Sequence, residues 1–393
     1  MKVLLINHFP LQGSGSGIYT MNIANELVKH GHAVFVIDID NTIDENNYNF
    51  ERRTIICDNS INPNADLPFN FPCFTTHPRS TTTYYDLTEK EIETYVNTYI
   101  KVTSDIVEQF KPDIIHAQHM WVTPYAAMKS GIPYVITVHG TDLMGFKNDK
   151  RYHKYAIEAA NNAKKIITIS RQVHNDTLEL YDIPKEKLAL NPNGFDNEIF
   201  RVKNTDKLSL KKKFHLEQYS KIVSFVGKFT DFKGIDVLIN AAKLVTEKIP
   251  RIAFALAGDG VLRKDMELLG LDLALNNIYF LGHQDQDSVA DLYNLAEVSV
   301  VPSRIEPFGL VAIEALACGT PVVATNAGGL PDFINDKVGQ LVQMENVEKL
   351  AEAIIEELLN KTKATKGIYA AEYALKNYSW GKSIEKVINL YLE

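Results

Sequence analysis

Two carboxylates lie eight residues apart on either side of a turn that opens an apolar segment. Glu306 is followed by Pro307-Phe308-Gly309, and Glu314 lies in the apolar run that ends at Cys318-Gly319 and predicts a helix. The spacing places Glu306 before the helix and Glu314 about a turn and a half into it, so we expect both to reach one pocket. Between them, a helix N-terminus offers free backbone N–H groups and a positive dipole end, which suits a phosphate.

Two lysines flank a second turn. A predicted strand, 222–226, leads into Gly227-Lys228, and Lys233-Gly234 follows before a predicted helix. Two cations at such a turn can neutralise a diphosphate that a chain of net charge −8 would otherwise repel. Solvated lysines are common, but the strand-end position and the flanking glycines favour an anion site. Gly258-Asp259-Gly260 forms a less specific turn of the same type after the next strand.

A histidine follows another predicted strand directly. His139-Gly140 comes after 134–138, and groups at the carboxyl ends of parallel strands face the ligand crevice. We therefore interpret His139 as a site residue rather than a core histidine. His116 and His119 lie in or beside the predicted strand 113–117. Two roles are equally open for them, namely support of a neighbouring site residue and packing in the core.

The glycine-rich loop near the N-terminus, residues 13–17, does not match the dinucleotide fingerprint. Its spacing is Gly-x-Gly-x-Gly, and five residues separate it from the strand where the fingerprint has a tight turn. NAD binding is therefore not predicted, although Asp38 lies where a ribose-binding acid would. Asp38-Ile39-Asp40 resembles a metal-binding D-x-D pair, but such pairs are common by chance, and we predict no metal there.

Strand and helix signals alternate in two separate sets, which predicts an α/β protein with two doubly wound, Rossmann-like domains. We place the N-terminal domain at 1–199, the C-terminal domain at 200–376 and a terminal helix at 377–393. The predicted strands of the two sets are 2–7, 33–37, 113–117, 134–138 and 165–170, then 222–226, 252–257, 278–281, 298–301 and 321–325.

One long segment, 40–87, departs from this alternation. It is rich in Asn, Thr and Pro, carries several aromatic residues, and reads as a long irregular insertion. Such loops are often functional, and a folded surface insertion is the equal alternative. His77 and Arg79, within 75–80, could meet an anionic or polyhydroxyl partner.

The amino-acid composition excludes several classes of protein. The 393 residues are 45% hydrophobic and 23% charged, with 41 basic and 49 acidic side chains, which argues against general nucleic-acid binding. No apolar run approaches the length of a membrane span, and the first residues read as a strand rather than a signal peptide. The three cysteines show no metal spacing, so we expect a reducing, cytoplasmic location.

Taken together, these motifs resemble the retaining glycosyltransferases of family 4, also known as glycosyl transferases group 1. The glycine loop, His139, Asn193-Gly194, the lysine turn and the run from Glu306 to Ala324 occur in the family's order across nearly the whole chain. The resemblance implies the GT-B fold, in which two Rossmann-like domains face each other across a cleft. It also implies that the terminal helix crosses back to the first domain, which receives the acceptor.

The resemblance further implies a role for each matching residue. Lys228 and Lys233 would bind the diphosphate of the donor. Glu314 would accept hydrogen bonds from the ribose hydroxyls, and Glu306 and His139 would contact the sugar of the donor. Glu306, His139 and Lys233 are the expected catalytic residues, and we place His77, Arg79 and His119 on the acceptor side. The expected donor-binding set is Gly15, Ser16, Gly17, Lys228, Lys233, Gly258, Phe308, Gly309, Leu310, Val311 and Glu314.

The expected activity is metal-independent transfer, with retention, from a nucleotide-diphosphate sugar, expected to be UDP-linked, to a hydroxyl acceptor. No cofactor or metal is expected, because the dipole of the helix after Gly309 and the two lysines would supply the positive charge that a metal cation provides in D-x-D enzymes. The acceptor is expected to be a small polar molecule or a glycan, and peripheral membrane contact is not favoured. The alternatives are a sugar-nucleotide epimerase, an inverting transferase, and a non-catalytic subunit that binds nucleotide sugars.

Overall fold

The computed structural model describes residues 1–43, 46–58, 60–75, 77 and 79–393, without the side chain of Lys363. This part of the chain divides into two compact units. The first contains Met1–Pro192 and Ser383–Glu393, and the second contains Asn193–Lys382. Among the described residues, no helix combines the length and apolarity that crossing a bilayer requires.

The first unit is built on a seven-stranded parallel sheet in the order β3-β2-β1-β6-β7-β8-β9. Strands β1, β6 and β7 are almost wholly buried, as expected of strands covered on both faces. The strands of the unit are β1 (Lys2–Ile6), β2 (Ala33–Asp40), β3 (Glu51–Ile56), β4 (Pro72–Cys73), β5 (Thr82–Thr83), β6 (Ile114–Gln118), β7 (Tyr134–Val138), β8 (Lys165–Thr168) and β9 (Leu188–Leu190). Strands β4 and β5 form a separate two-stranded sheet.

The helices of the first unit begin at side-chain caps where the sequence provides them. The Ser14 hydroxyl accepts from the Gly17 amide at the start of α1, and Thr88 forms a capping box with Glu91 at the start of α2. The helices are α1 (Gly15–Lys29), α2 (Glu89–Phe110), α3 (Thr123–Lys129), α4 (Thr141–Asn148), α5 (His153–Asn162) and α6 (Arg171–Tyr181).

The segment 40–87 is more ordered than its composition predicts. Asp40 still belongs to β2, and Glu51–Ile56 forms the edge strand β3 beside it. The expectation of an irregular insertion is therefore wrong for this part. The strand was not predicted because it lacks a continuous apolar run. An edge strand is only partly covered, so it can begin with the charged residues Glu51, Arg52 and Arg53. Residues 44, 45, 59, 76 and 78 of the segment lie outside the described residues.

The second unit repeats the architecture with a six-stranded parallel sheet, β12-β11-β10-β13-β14-β15. Its strands are β10 (Lys221–Val226), β11 (Ile252–Ala257), β12 (Ile278–Gly282), β13 (Val298–Val301), β14 (Val322–Thr325) and β15 (Gly339–Val342). Its helices are α7 (Lys207–Lys213), α8 (Ile235–Lys248), α9 (Arg263–Asp272), α10 (Gln286–Leu295), α11 (Leu310–Ala317), α12 (Val347–Leu359) and α13 (Lys363–Tyr378).

The last helix, α14 (Trp380–Leu392), begins in the second unit and has most of its length in the first. Its apolar stripe, Ile384, Val387 and Tyr391, is buried. The Tyr391 hydroxyl lies 2.7 Å from Nδ1 of His116, whose Nε2 lies 2.7 Å from the Thr137 hydroxyl. His116 is therefore a satisfied core histidine, which settles the question that the sequence left open for it.

Candidate active site

In the second unit, the lysine turn and Glu306 both follow strands at the point where the strand order reverses. Strand β10 pairs with β11 on one side and with β13 on the other. Gly227-Lys228 follows β10, and the segment 302–306 follows β13. In open parallel sheets the crevice at this reversal point is where ligands bind. The topology of the sheet thus brings together two motifs that lie about 80 residues apart in sequence.

Glu306 and Lys233 form an ion pair at this edge. The Lys233 ammonium donates to Glu306 Oε2 over 2.7 Å, and the Ser303 hydroxyl donates to the same oxygen over 3.1 Å. The Glu306 side chain is 9% exposed and that of Lys233 is 26% exposed. No described residue donates to the second carboxylate oxygen, Oε1. The pair therefore presents both a cation and an open acceptor oxygen.

Helix α11 begins directly after this pair. Gly309 precedes it with φ of 104°, a left-handed conformation that favours glycine. The amides of Leu310 and Val311 in the first turn donate to no described acceptor, whereas those of Ala312 and Ile313 bond to the Gly309 carbonyl. The helix start can therefore offer two N–H donors to an anion.

Phe308 has a packing role. Its ring is buried 5.6 Å from that of Phe333 and 6.2 Å from that of Tyr378, measured between ring centroids. The side chain anchors the turn before α11, so a donor contact from this residue would have to come from its backbone.

Glu314 lies in the second turn of α11. No described group donates a hydrogen bond to its carboxylate, and burial raises its pKa to about 7. The buried hydroxyl of Tyr293, which has no described hydrogen-bond partner, is close enough that the Glu314 charge adds to the rise in the Tyr293 pKa caused mainly by burial. The Glu314 side chain is only partly exposed, so its carboxylate is poorly hydrated as well as without a protein donor, and hydroxyl groups of a ligand could supply the missing hydrogen bonds.

Arg304 fixes the turn that carries Lys233. Its guanidinium donates to the Asp236 carboxylate over 2.7 and 2.9 Å and to the Asp231 carbonyl over 2.7 Å. Its backbone amide bonds to the Phe232 carbonyl over 2.8 Å. The segment after β13 is thereby tied to the turn after β10.

The glycine turns around Lys228 are also explained by packing. A Cβ on Gly258 would lie 1.9 Å from the Gly227 carbonyl oxygen, and one on Gly260 would lie 2.6 Å from that of Phe229. Gly258 is therefore required for close contact between two backbone turns. The Lys228 side chain itself is exposed.

In the first unit, the predicted glycine loop is partly helical. We expected residues 13–17 to form a loop, but Gly15, Ser16 and Gly17 form the first turn of α1 because Ser14 caps it. A Cβ on Gly17 would lie 1.9 Å from the Pro10 carbonyl oxygen, so only glycine permits this approach. The residues that the sequence assigned to a loop therefore form a helix N-terminus.

His139 lies directly after β7, and burial lowers its pKa well below the usual value. Its Nε2 lies 3.0 Å from Oε1 of Gln118, at the end of β6. Its ring centroid lies 5.1 Å from that of Tyr19 and 4.7 Å from that of His119. The imidazole is thus neutral near pH 7 and held on one edge by an amide.

His119 lies between two other imidazoles. Its ring centroid is 4.5 Å from that of His8 and 4.7 Å from that of His139. It is buried with φ of 69°, and neither ring nitrogen has a described hydrogen-bond partner. Its Nδ1 lies 3.8 Å from the Asp142 carboxylate. Among the described residues, the structure therefore places His119 beside His139 rather than beside His77 and Arg79.

Arg79 and His77 hold the segment 40–87 against the N-terminal loop. The Arg79 guanidinium donates to the Asp40 carboxylate over 2.6 Å and to the Gln12 carbonyl over 2.8 Å. The ring of His77 packs at 5.1 Å from that of Phe71. Arg79 is therefore held by two protein acceptors, although its side chain is 38% exposed, and its acceptor-side role stays a prediction.

The two carboxylates of the Asp38-Ile39-Asp40 segment also have cationic partners. Asp38 pairs with Arg52 at 2.5 Å and also accepts from Thr54, while Asp40 pairs with Arg79. The structure thus explains these acids through ion pairs with the neighbouring segment.

Sequence reasoning did not identify Ser303, Gln118 or Arg304, each of which contacts or positions a predicted site residue. Ser303 and Gln118 do lie at or just after strand ends, which was the same signal that selected His139 and Lys228. Nothing in the local sequence, however, says which carboxylate or imidazole each would meet.

Two family models match the chain. The model described as Glycosyltransferase Family 4 matches residues 13–199, and that described as Glycosyl transferases group 1 matches residues 206–373. An uncharacterized glycosyltransferase of Methanocaldococcus jannaschii is 32% identical over 304 residues, covering 76% of this chain and 80% of the relative. A D-inositol 3-phosphate glycosyltransferase of Mycobacteroides abscessus is 29% identical over 300 residues, covering 71% and 65%.

Solved structures resemble the whole chain. A sucrose-phosphate synthase from Thermosynechococcus elongatus superposes with a TM-score of 0.78 at 22% identity, covering 100% of this chain and 98% of that one. HepE of Anabaena, in complex with UDP-glucose, superposes with a TM-score of 0.76 at 19% identity, covering 99% of each chain. At these identities the likeness shows the fold, and it confirms the expected GT-B class.

Proposed function

Because the chain belongs to the family 4 glycosyltransferases, we propose that it moves a sugar from a nucleoside-diphosphate sugar to a hydroxyl acceptor with retention of configuration. The observation that carries the proposal is the grouping at the carboxyl edge of the second sheet. There, the Lys233–Glu306 pair adjoins a helix start with two unbonded amides, and the same helix carries Glu314. These groups match the charge and hydroxyl pattern of such a donor.

In this proposal, Lys228, Lys233 and the amides at the start of α11 bind the diphosphate. Glu314 accepts hydrogen bonds from the ribose hydroxyls, which explains why no protein group donates to it. Glu306 accepts from hydroxyls of the transferred sugar through Oε1. His139 and the first turn of α1 keep the roles that the family resemblance assigns to them, towards the sugar and the phosphate.

The chemistry follows from charge. Breaking the bond between the anomeric carbon and the phosphate oxygen leaves positive charge on carbon and negative charge on the diphosphate. Fixed cations and N–H groups stabilise that negative charge at the moment it develops. The acceptor oxygen bonds to the anomeric carbon on the face that the phosphate leaves, and its proton passes to the departing phosphate. We propose that no metal takes part, because lysines and helix dipole supply the positive charge.

We further propose a UDP-linked donor and an acceptor that is a small polar molecule or a glycan. The donor proposal is supported by HepE, whose structure contains UDP-glucose, and the acceptor proposal by relatives named for inositol phosphate. Both observations concern other proteins, so the donor should be tested against other nucleotides.

The test measures nucleotide release with UDP-, GDP- and ADP-glucose across candidate polyol and glycan acceptors, with and without EDTA. We expect Lys233→Ala and Glu306→Ala each to remove most transfer activity while circular dichroism shows a folded chain. Lys264→Ala, which changes an exposed lysine of the same unit, is the matched control and should retain activity. Wild-type turnover in Lys233→Ala or Glu306→Ala would refute these roles, and loss of activity with EDTA would refute the metal-free mechanism.

The configuration of the product separates the remaining alternatives. NMR of the new glycosidic bond should show the same anomeric configuration as the donor. An inverted product would indicate an inverting transferase, and an altered free sugar nucleotide would indicate an epimerase. Binding of a donor without turnover by any acceptor in the panel would favour the non-catalytic subunit.

A further inference from the structure

The backbone of Glu306 is held in one position by a glycine turn. The Gly329 amide donates to the Glu306 carbonyl over 2.9 Å. A Cβ on Gly328, whose φ is 54°, would lie only 1.9 Å from that same carbonyl oxygen. The turn therefore fits against Glu306 only because residue 328 has no side chain. What remains to be fixed is the direction of the Glu306 carboxylate.

Two donors meet one oxygen of that carboxylate. The Lys233 ammonium and the Ser303 hydroxyl both donate to Oε2, at 2.7 and 3.1 Å, and no described residue donates to Oε1. The carboxylate is therefore turned so that Oε2 faces the protein and Oε1 is left to accept from something else. Two hydrogen bonds to a charged group restrict its rotation more than one does.

The two donors differ in how firmly they are held. Ser303 is 1% exposed and lies two residues after β13, and the Thr325 hydroxyl at the end of β14 donates to its carbonyl over 2.5 Å. The backbone that carries the short Ser303 side chain is thus fixed between two neighbouring strands. Lys233 is a long, partly exposed side chain with several rotatable bonds, and our proposed function also assigns it to the diphosphate.

We propose that Ser303 is a positioning residue for the transfer reaction. It keeps Oε2 of Glu306 occupied when Lys233 engages the diphosphate, so that Oε1 stays directed at a hydroxyl of the transferred sugar. Ser303 touches neither donor nor acceptor and acts through Glu306 alone. This inference rests on the proposed function, because it needs Glu306 to contact the sugar.

The test compares binding of a nucleotide sugar with binding of the same nucleotide diphosphate without sugar, by isothermal titration calorimetry. UDP-, GDP- and ADP-glucose are screened first, and the one that wild type binds best is used. A hydrogen bond to a charged group contributes about 1.5–3 kcal/mol, so Ser303→Ala should weaken nucleotide-sugar binding roughly 10- to 150-fold. Binding of the diphosphate alone should weaken several-fold less, because it also draws Lys233 away from Glu306 but makes no contact with Oε1.

Two further variants make the result specific. Ser303→Ala added to Glu306→Ala should cause no further loss, because the residue through which Ser303 acts is already gone. Ser299→Ala removes a buried hydroxyl from β13 itself. Within the described part of the chain Ser299 donates no hydrogen bond to Glu306, so this variant should bind as wild type does.

Each outcome either supports or contradicts the proposed role of Ser303. Equal weakening of nucleotide sugar and nucleotide by Ser303→Ala, an unchanged affinity, or additive loss in the double variant would overturn the role of Ser303 while leaving the proposed function intact. Failure of wild type to bind any of the three nucleotide sugars would overturn the proposed function and this inference with it.

Discussion

The sharpest prediction concerns the protonation of Glu314. Burial raises its pKa to about 7, and no described group donates to its carboxylate, so about half of the molecules carry a protonated Glu314 at neutral pH. If the charged form accepts from the ribose hydroxyls, only the ionised fraction is competent to bind. The apparent dissociation constant is then the intrinsic one divided by that fraction.

The size of the effect follows directly. With a pKa near 7, the ionised fraction is about 0.09 at pH 6 and about 0.91 at pH 8, so binding should be about tenfold weaker at the lower pH. The nucleotide sugar does not contribute, because both of its phosphates are esterified on two sides and lack the ionisation near pH 6 that a terminal phosphate has. Burial keeps His139 neutral over this range, so it does not contribute either.

Calorimetric titration of UDP-glucose between about pH 6 and pH 8, at constant ionic strength, measures this dependence. Near pH 7, binding should also release about half a proton, seen as a dependence of the heat on the ionisation enthalpy of the buffer. Glu314→Gln keeps the shape and removes the titration, so its affinity should be flat with pH. A flat wild-type profile, or an unchanged slope in Glu314→Gln, would refute the role of Glu314.

Three predictions concern stability. Gly328→Ala should lower the free energy of unfolding by more than about 2 kcal/mol in urea titrations, because its Cβ would meet the Glu306 carbonyl at 1.9 Å, and a near-neutral effect would contradict this. Lys366→Met should cost about 3 kcal/mol by the same assay, since it leaves the buried carboxylate of Glu357 without its ion-pair partner, whereas Lys264→Met should cost almost nothing. Acid should destabilise the chain below about pH 6, by about 3 kcal/mol per pH unit, because three buried histidines have a lower pKa when folded than unfolded and resist the protons that the unfolded chain takes up. These are His8, His116 and His139. Glu314, whose pKa is raised on folding, takes up a proton in the same range and offsets about one of the three histidines. Thermal unfolding between pH 7.5 and 5.5 measures that slope, and an acid-insensitive midpoint would show that these imidazoles are not held neutral.

Much of the fold could be read from the sequence because it rests on strong local signals. Strands buried on both faces, such as β7 and β11, need continuous apolar runs, and both were predicted with their observed bounds. Strand β3 was missed because its position at the edge removes that requirement. Residues 15–17 were assigned to a loop but belong to α1, because the Ser14 cap overrides the low helix propensity of Gly15 and Gly17.

The sequence by itself determined which chemical groups are present and which strand ends carry them. Glu306, Glu314, Lys233 and His139 were all singled out by their spacing from predicted strands and helices. Strand ends share one edge in any parallel sheet, so such residues can be named without knowing their contacts.

Only the tertiary structure decided how those groups are engaged. In the structure Arg79 pairs with Asp40, and no described group donates to the Glu314 carboxylate. Ser303 and Lys233 both donate to one oxygen of Glu306, so that the other oxygen can accept from a ligand. Each of these outcomes depends on which side chain from a distant segment arrives within about 3 Å, the reach of a hydrogen bond. The spacing of residues along the chain does not predict these contacts, because the partners come from different strands whose order is set by the packing of the sheet.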